Sequence, residues 1–359
     1  MVSLHSFQLP FKKPFITGKR TFMVREGIII RFQDDTVDAI SEASPLPGFS
    51  VESLDEVQRF LIENSTLLNT FFETDFTLDD LHQKLSSLPN SPSLQFALST
   101  LGIEIICQQR KITLSDLFDQ PFNSSIQINA VIGAGSATDL ANQIQSGIKD
   151  GFTVFKVKVG SELHHLPKTL STLYKQFPDI SFRLDANGSW PLNKVSEFSD
   201  AFKNLPIEYI EEPANYQSDE ELEKIIQKCS LPVALDESLK DIESLLHFSS
   251  NEKIAAFVIK PQLFGSILTL FVTFQRRNHL IHKCVFTTLL ESVIGRNIVG
   301  LMAGLMGSST KAHGLHTGTL FDEDIASNLP IKNDRFITKP SIGFGLRFKD
   351  LNQNLTKLV

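Results

Sequence analysis

Phe155-Lys156-Val157-Lys158-Val159-Gly160 places two lysines, two residues apart, inside an otherwise apolar run. In an extended strand alternate side chains share a face, so Lys156 and Lys158 point one way and Phe155 and Val157 the other. The apolar pair suits packing beneath a helix, which directs the lysines into whatever the strand encloses. A lone lysine in an apolar strand more often snorkels or marks an edge. Two on one face need another account.

The run is one of a series. Apolar, β-branched stretches recur at 126–132, 152–159, 180–185, 207–211, 232–236, 254–260 and 284–288, with an eighth expected near 314–320. Amphipathic stretches separate them, so the repeat of roughly 25 residues reads as a strand–helix unit. Seven or eight such units in about 200 residues predict an α/β fold built as a closed (β/α) barrel rather than an open sheet. Lys158, Asp185, Glu211, Asp236 and Lys260 fall at successive intervals of 27, 26, 25 and 24 residues. Each therefore stands at the C-terminal end of its strand, where barrels build their active sites. Singly, Asp185-Ala186-Asn187 or Asp236-Glu237-Ser238 reads as a helix N-cap. Five strands in phase, in the order Lys, Asp, Glu, Asp, Lys, do not.

Three carboxylates converging on one point repel unless a cation joins them. Oxygen donors without a Cys/His cluster favour Mg²⁺, or Mn²⁺ in its place, over Zn²⁺. Lysines flanking such a metal supply proton transfer, and the metal stabilises an enediolate formed from a substrate carboxylate.

Upstream, residues 4–43 read as short strands and 44–50 as a turn-rich loop. A helical pattern follows over 52–118, within which Ser91-Pro92 opens one helix. The expected organisation is an α+β capping domain over 1–120, the barrel over 121–322, and a segment over 323–359 that packs back on the cap. The net charge of −7 is spread without a basic block, which argues against nucleic acid or an anionic membrane as partner. No apolar run approaches the roughly 20 residues of a membrane helix. The first residues lack the pattern of a secretory signal, and three cysteines without CxxC spacing suit reduced thiols in the cytoplasm.

The combined motifs resemble the enolase superfamily in its muconate-lactonizing-enzyme branch. The matching stretches are Phe155–Gly160, Arg183-Leu184-Asp185-Ala186-Asn187, Ile210-Glu211-Glu212-Pro213, Leu235-Asp236-Glu237-Ser238 and Ile259-Lys260-Pro261. A lysine base working beside Mg²⁺ is the known pattern of that superfamily rather than a deduction from spacing. Within the branch, Ser44-Pro45-Leu46-Pro47-Gly48-Phe49-Ser50 is similar to a stretch of the o-succinylbenzoate synthases of menaquinone biosynthesis. The resemblance implies a hydro-lyase that performs a syn-dehydration on a small carboxylate, 2-succinyl-6-hydroxy-2,4-cyclohexadiene-1-carboxylate. In it Lys158 is the base, Lys260 the charged partner opposite, and Asp185, Glu211 and Asp236 the metal ligands. Lys156 and Asn187 support them.

The resemblance also gives the cap loops, at 44–50 with Pro47 and Gly48 and at 16–26, a part in choosing substrate. Thr288, Glu291 and Ser292 are candidates for substrate binding, although 287–292 departs from the serine-rich stretch of related synthases. Gly295 and Arg296 follow at an expected helix start, where backbone N–H groups can hold a carboxylate. Arg183 orients Asp185 or faces the substrate, the structural role being preferred. Glu212 and Glu237 should face away as capping or supporting groups.

The rival on the same scaffold is an N-acylamino acid racemase or dipeptide epimerase using the same two lysines. Dipeptide epimerases carry an acidic pair at the end of the eighth strand, where this chain reads Leu315-His316-Thr317-Gly318, with Asp322 and Asp324 later. A Schiff-base aldolase also hides a lysine in a barrel strand but needs no carboxylate triad. A binding protein with a decayed site would not retain competent residues at all five positions. The sequence leaves the oligomeric state open.

Overall fold

A computed structural model describes residues 1–16, 20–351 and 355–359. Strands β1 (Val2–Ile16) and β2 (Thr21–Gln33) form a long antiparallel hairpin, and β3 (Asp38–Ala43) extends it along β2. The expectation of short strands is corrected here. Lys12-Lys13-Pro14 reads locally as a break, yet pairing continues past an irregularity between Pro10 and Phe15 to Ile16↔Thr21. The stretch expected as a loop over 16–26 is therefore mostly β2, and Thr17, Gly18 and Lys19 lie outside the described residues. Helices α1 (Leu54–Glu63), α2 (Ser65–Glu73), α3 (Leu78–Ser86) and α4 (Pro92–Arg110) complete this part. Reciprocal capping boxes, Ser53 with Glu56 and Thr77 with Asp80, start α1 and α3. Every residue of α4 from Phe96 to Cys107 is buried, because the helix packs on the cap sheet on one side and on barrel helices on the other.

A short helix α5 (Leu114–Phe118) leads to β4 (Ser125–Gln127) and β5 (Ala130–Ile132), and strands and helices then alternate. They are α6 (Ala137–Lys149), β6 (Val154–Lys158), α7 (Leu166–Gln176), β7 (Ser181–Asp185), α8 (Val195–Asp200), β8 (Ile207–Glu211), α9 (Asp219–Lys228) and β9 (Val233–Leu235). After α10 (Ile242–Phe248) come β10 (Ile254–Ile259), α11 (Pro261–Phe264), α12 (Ile267–Arg276), β11 (Cys284–Phe286) and α13 (Val293–Met306). Strands β5 to β11 form one parallel sheet in sequence order.

The eighth place in the ring differs from expectation. His316–Leu320 is a 3-10 helix, and the gap between β11 and the start of the barrel is closed by His313 and Gly314 alone. His313 exchanges backbone hydrogen bonds with Gln127 (2.7 Å) and Asn129 (3.0 Å), and Gly314 with Phe286 (2.9 Å) and Thr288 (3.2 Å). A Cβ on Gly314 would lie 2.2 Å from the Thr287 hydroxyl, so only glycine lets the segments approach this closely. The buried His313 ring accepts from Phe286 N through Nδ1 and meets Ser308 O through Nε2, and burial pushes its pKa down to about 4. It is a neutral stitch in the wall.

After the barrel, β12 (Ile331–Lys332) pairs with β13 (Arg335–Ile337) and β13 with β4, so this part of the C-terminal segment covers the barrel. It also meets the cap: Glu104 of α4 accepts from Phe344 N and Arg347, and β14 (Thr356–Lys357) pairs with β1. Among the described residues no helix is long and apolar enough to cross a membrane.

Candidate active site

Parallel register brings the charged residues together. Lys158 aligns with Asp185 and Asp185 with Glu211, each the last residue of its strand. Asp236 and Lys260 stand one residue beyond β9 and β10. Strands β6 and β10 are four places apart in an eight-place ring, so their lysines face each other across the mouth. Lys158 Nζ donates to Asp185 Oδ2 (2.6 Å) and Asn187 Oδ1 (2.8 Å). Lys156 Nζ bridges Glu211 Oε1 (2.7 Å) and Asp185 Oδ2 (2.9 Å) from one layer below. Lys260 Nζ meets both oxygens of Asp236, at 2.5 and 2.6 Å. The Lys158 side chain is 40% exposed against 13% for Lys260, so the first opens to the mouth and the second is clamped.

The electrostatics divide accordingly. Burial opposes the Lys260 ammonium, but Asp236 and Glu237 outweigh it and hold the group above the ordinary lysine range. Lys156 is held well above that range by Asp185 and Glu211 against the same burial. Burial also opposes the Asp185 and Asp236 carboxylates, and the neighbouring ammoniums keep both below the usual range. Glu211 is pushed well up by burial and by Asp185, and its buried Oε2 has no hydrogen-bond partner among the described residues.

The loops after the strands carry a second tier of groups. Asn187 (φ +45°) and Glu212 (φ +40°) occupy the left-handed region, which non-glycine residues enter at a cost and which clusters at functional sites. Asn187 Nδ2 donates to Glu237 Oε1 (2.8 Å), so Asn187 links Lys158 to Glu237 at the rim. The expectation that Glu237 faces away is thereby corrected. Glu212 does turn away, and its carboxylate accepts from Asp236 N, Ser238 N and Ser238 Oγ.

Other candidates go elsewhere. Arg183 is fully buried one layer beneath Asp185. It donates to Glu208 (2.7 Å), Asn129 (3.3 Å) and Ala312 O (2.6 Å) and lies 4.8 Å from the Tyr209 ring, so it braces the barrel interior. Pro47 and Gly48 (φ +87°) form the exposed tip of a turn. Phe49 of that loop lies beside the site, with its ring 5.8 Å from Lys260 Nζ. The Thr288 hydroxyl is shared with Thr317 at 2.7 Å.

Glu291 and Ser292 face the cap rather than the mouth. The start of α13 does hold a carboxylate, but that of Glu42 in β3. Glu42 accepts from Ser292 N (3.0 Å), Gly295 N (2.9 Å), Ser44 Oγ (2.6 Å) and the Ser292 hydroxyl. Gln262, two residues after Lys260, accepts from Ser44 N (2.9 Å) and donates to Ser44 Oγ (3.0 Å). Arg25 donates to Leu290 O and Pro45 O and also bonds Ser44 O. Arg296 donates to Glu291 O (2.9 Å) and Asp324 (2.7 Å). This buried polar clasp roots the 44–50 loop to the ends of β10 and β11. Its one sequence-level signal is Glu42 itself, a charge within the apolar run Ala39-Ile40-Ser41-Glu42-Ala43.

Burial and the neighbouring Glu42 push the Glu291 carboxyl up to about 7 against the pull of Arg25. A carboxyl raised in the folded state contributes stability that is present below its unfolded value, near 4.5, and lost as pH rises through about 7. Glu291→Gln removes that titration. The variant should match wild type near pH 4 and exceed it at pH 8 by up to about 3 kcal/mol in thermal denaturation. An equal difference at both pH values would show that Glu291 does not titrate there.

Three carboxylates at strand ends, one with an orphaned buried oxygen and a raised carboxyl, form an all-oxygen donor set that suits a hard divalent cation. As they stand, no three His, Cys, Asp or Glu among the described residues are spaced to hold a metal. The Lys156 ammonium lies between Asp185 and Glu211, and that of Lys260 on Asp236, so cationic amines occupy the carboxylates. We read the residues as fitting a metal, since the donors are all carboxylate oxygens at neighbouring strand ends and Glu211 keeps a buried oxygen with no hydrogen-bond partner among the described residues.

Residues 139–350 match a family model described as enolase C-terminal domain-like, and residues 1–105 one described as MenC, N-terminal domain. The chain is 26% identical over 340 residues to an o-succinylbenzoate synthase from Klebsiella pneumoniae, covering 92% of this chain and 96% of the relative. It is 22% identical over 294 residues to an L-Ala-D/L-Glu epimerase from Francisella tularensis subsp. novicida, covering 80% and 82%. Among solved structures, a dipeptide epimerase from Enterococcus faecalis, complexed with Mg and L-Leu-L-Tyr, superposes with a TM-score of 0.83 at 16% identity over 96% of this chain and 98% of that one. At that identity the likeness speaks for the fold.

Proposed function

This chain belongs to the enolase superfamily, and on that premise we propose that it is an o-succinylbenzoate synthase, dehydrating 2-succinyl-6-hydroxy-2,4-cyclohexadiene-1-carboxylate to 2-succinylbenzoate. The observation that carries the reading is the pairing of an open Lys158 with a clamped Lys260 across one carboxylate cluster. The match of residues 1–105 supports the choice within the superfamily.

Asp185, Glu211 and Asp236 would hold a magnesium ion, which Mn²⁺ can replace. When bound, it supplies positive charge beside the substrate carboxylate as that group gains electron density. The chain's own residues do the rest. Lys158, as a neutral amine, takes the α-proton, and the C–H electrons move toward the carboxylate. Lys260, kept cationic by Asp236, lies against the growing negative charge. The Lys158 ammonium then returns its proton to the departing hydroxyl on the same face. The C–O bond breaks, water leaves and the ring becomes aromatic. One group serves both transfers because the elimination is syn. Asn187 holds the ammonium between them, and Phe49 gives the pocket an apolar wall beside Lys260.

The purified protein should form 2-succinylbenzoate with kcat/KM of about 10⁴ M⁻¹s⁻¹ or better. A rate far below that, beside fast racemisation of N-acylamino acids or epimerisation of dipeptides, would move the assignment to those activities.

A further inference from the structure

Glu212 follows Glu211 at the end of β8, and its backbone turns into the left-handed region at φ +40°. Its side chain is buried, and its three hydrogen bonds all reach the next loop. Oε1 accepts from Asp236 N (2.9 Å) and Ser238 N (2.7 Å), and Oε2 accepts from Ser238 Oγ (2.9 Å). No cation among the described residues forms an ion pair with it. Its backbone joins the neighbours on either side: Glu212 N donates to Ala234 O (3.0 Å), and Gly188 N donates to Glu212 O (2.7 Å). Glu212 thus ties the loop after β7, which carries Asn187, to the loop after β9, which carries Asp236.

A carboxylate buried without a cation, on a strained backbone, destabilises the fold unless its bonds return something. A bare tight turn would be served more cheaply by glycine. What the carboxylate adds is a rigid double acceptor that fixes the rotation of the Asp236-Glu237-Ser238 turn, and so the direction of the Asp236 side chain. We propose that Glu212 is a positioning residue whose carboxylate oxygens lock this turn and set the divalent-cation affinity of the Asp185, Glu211 and Asp236 cluster. The inference rests on the reading of those three as metal ligands.

Two variants separate the bonds from the backbone. Glu212→Gly suits φ +40° and relieves the strain but leaves the turn unbraced. Glu212→Gln is isosteric and uncharged. Its carbonyl oxygen can accept both N–H groups, and its NH₂ can donate to the Ser238 hydroxyl, which accepts as readily as it donates. The measurement is Mn²⁺ binding by titration calorimetry, with thermal denaturation of the metal-free proteins alongside. Glu212→Gly should bind Mn²⁺ about 10- to 100-fold more weakly than wild type, the range found when supports of metal ligands are removed. Its metal-free melting temperature should be held or raised, and Glu212→Gln should stay within about threefold of wild-type affinity.

Wild-type affinity in a folded Glu212→Gly overturns the proposal. So does a Glu212→Gln variant as weak as Glu212→Gly, which would make charge rather than the bonding pattern the operative feature. Should Glu212→Gly not fold, Ser238→Ala removes one of the three bonds, and unchanged Mn²⁺ affinity there would likewise overturn it. A wild-type protein that binds no divalent cation sinks the metal reading itself, a result distinct from all of these.

Discussion

Lys158→Arg is expected to abolish turnover, whereas Lys260→Arg retains measurable activity. The asymmetry follows from what each amine touches. Lys158 opens to the mouth, and among the described residues it is held by Asp185 Oδ2 and Asn187 Oδ1, so its amine is free to turn toward a substrate. Arginine keeps the charge but cannot act as a neutral base near neutral pH. Loss of general base and acid from one residue should lower kcat by about 10⁴ or more. Lys260 sits on both oxygens of Asp236 and stays cationic. A guanidinium can span the same two oxygens and keep its charge over the site. The decline should be nearer the 10²- to 10³-fold, roughly, of losing one well-placed donor. The comparison is steady-state kcat for both variants under saturating Mg²⁺. A more active Lys158→Arg would exchange the two roles. Near wild-type activity in both would remove the lysines from proton transfer altogether.

The convergence of these charged strand ends was legible because the barrel repeats. A period close to 25 residues places equivalent strand ends in phase, so charge at one end predicts convergence without knowledge of the packing. The run at 207–211 coincides with β8. The eighth strand was not legible, since closure there is made by two residues whose bonds run to Gln127, Asn129, Phe286 and Thr288, and no local period records that. The hairpin of β1 and β2 was obscured for a related reason: Pro14 and two lysines break the pattern locally, while the partner strand carries the pairing through. At the start of α13 the local chemistry was readable and the partner was not. Ser292 N and Gly295 N do bind a carboxylate, but from Glu42, some 250 residues earlier in the chain. Arg183 shows the limit of facing arguments. It shares the inward face with Asp185, yet one layer of depth separates a barrel brace from a place at the mouth.

Removal of divalent metal should abolish turnover, and Mg²⁺ or Mn²⁺ should restore it. Asp185, Glu211 and Asp236 are brought to neighbouring strand ends by register, and the three ammoniums of Lys156, Lys158 and Lys260 satisfy them only in part. Among the described residues Glu211 keeps a buried oxygen without a hydrogen-bond partner, and burial with Asp185 beside it pushes its carboxyl up, so the cluster remains short of positive charge on that side. A substrate carboxylate entering the mouth adds a further negative charge, which the lysines cannot balance while one of them must be neutral to act as base. Asp236→Asn should weaken Mn²⁺ binding by at least about 100-fold, beyond the effect of removing a mere support. Asp322→Asn is the matched control. Asp322 is exposed, its backbone N–H bonds Pro10 O, and none of the site's lysines pairs with it among the described residues, so its loss should leave affinity unchanged. Calorimetric titration of both variants reads the difference directly. Metal-dependent thermal stabilisation, which follows mass action, gives a second measure that does not depend on turnover. Full activity in chelated buffer would end the metal-assisted mechanism, and equal losses in the two variants would mean that the cation binds elsewhere on the protein.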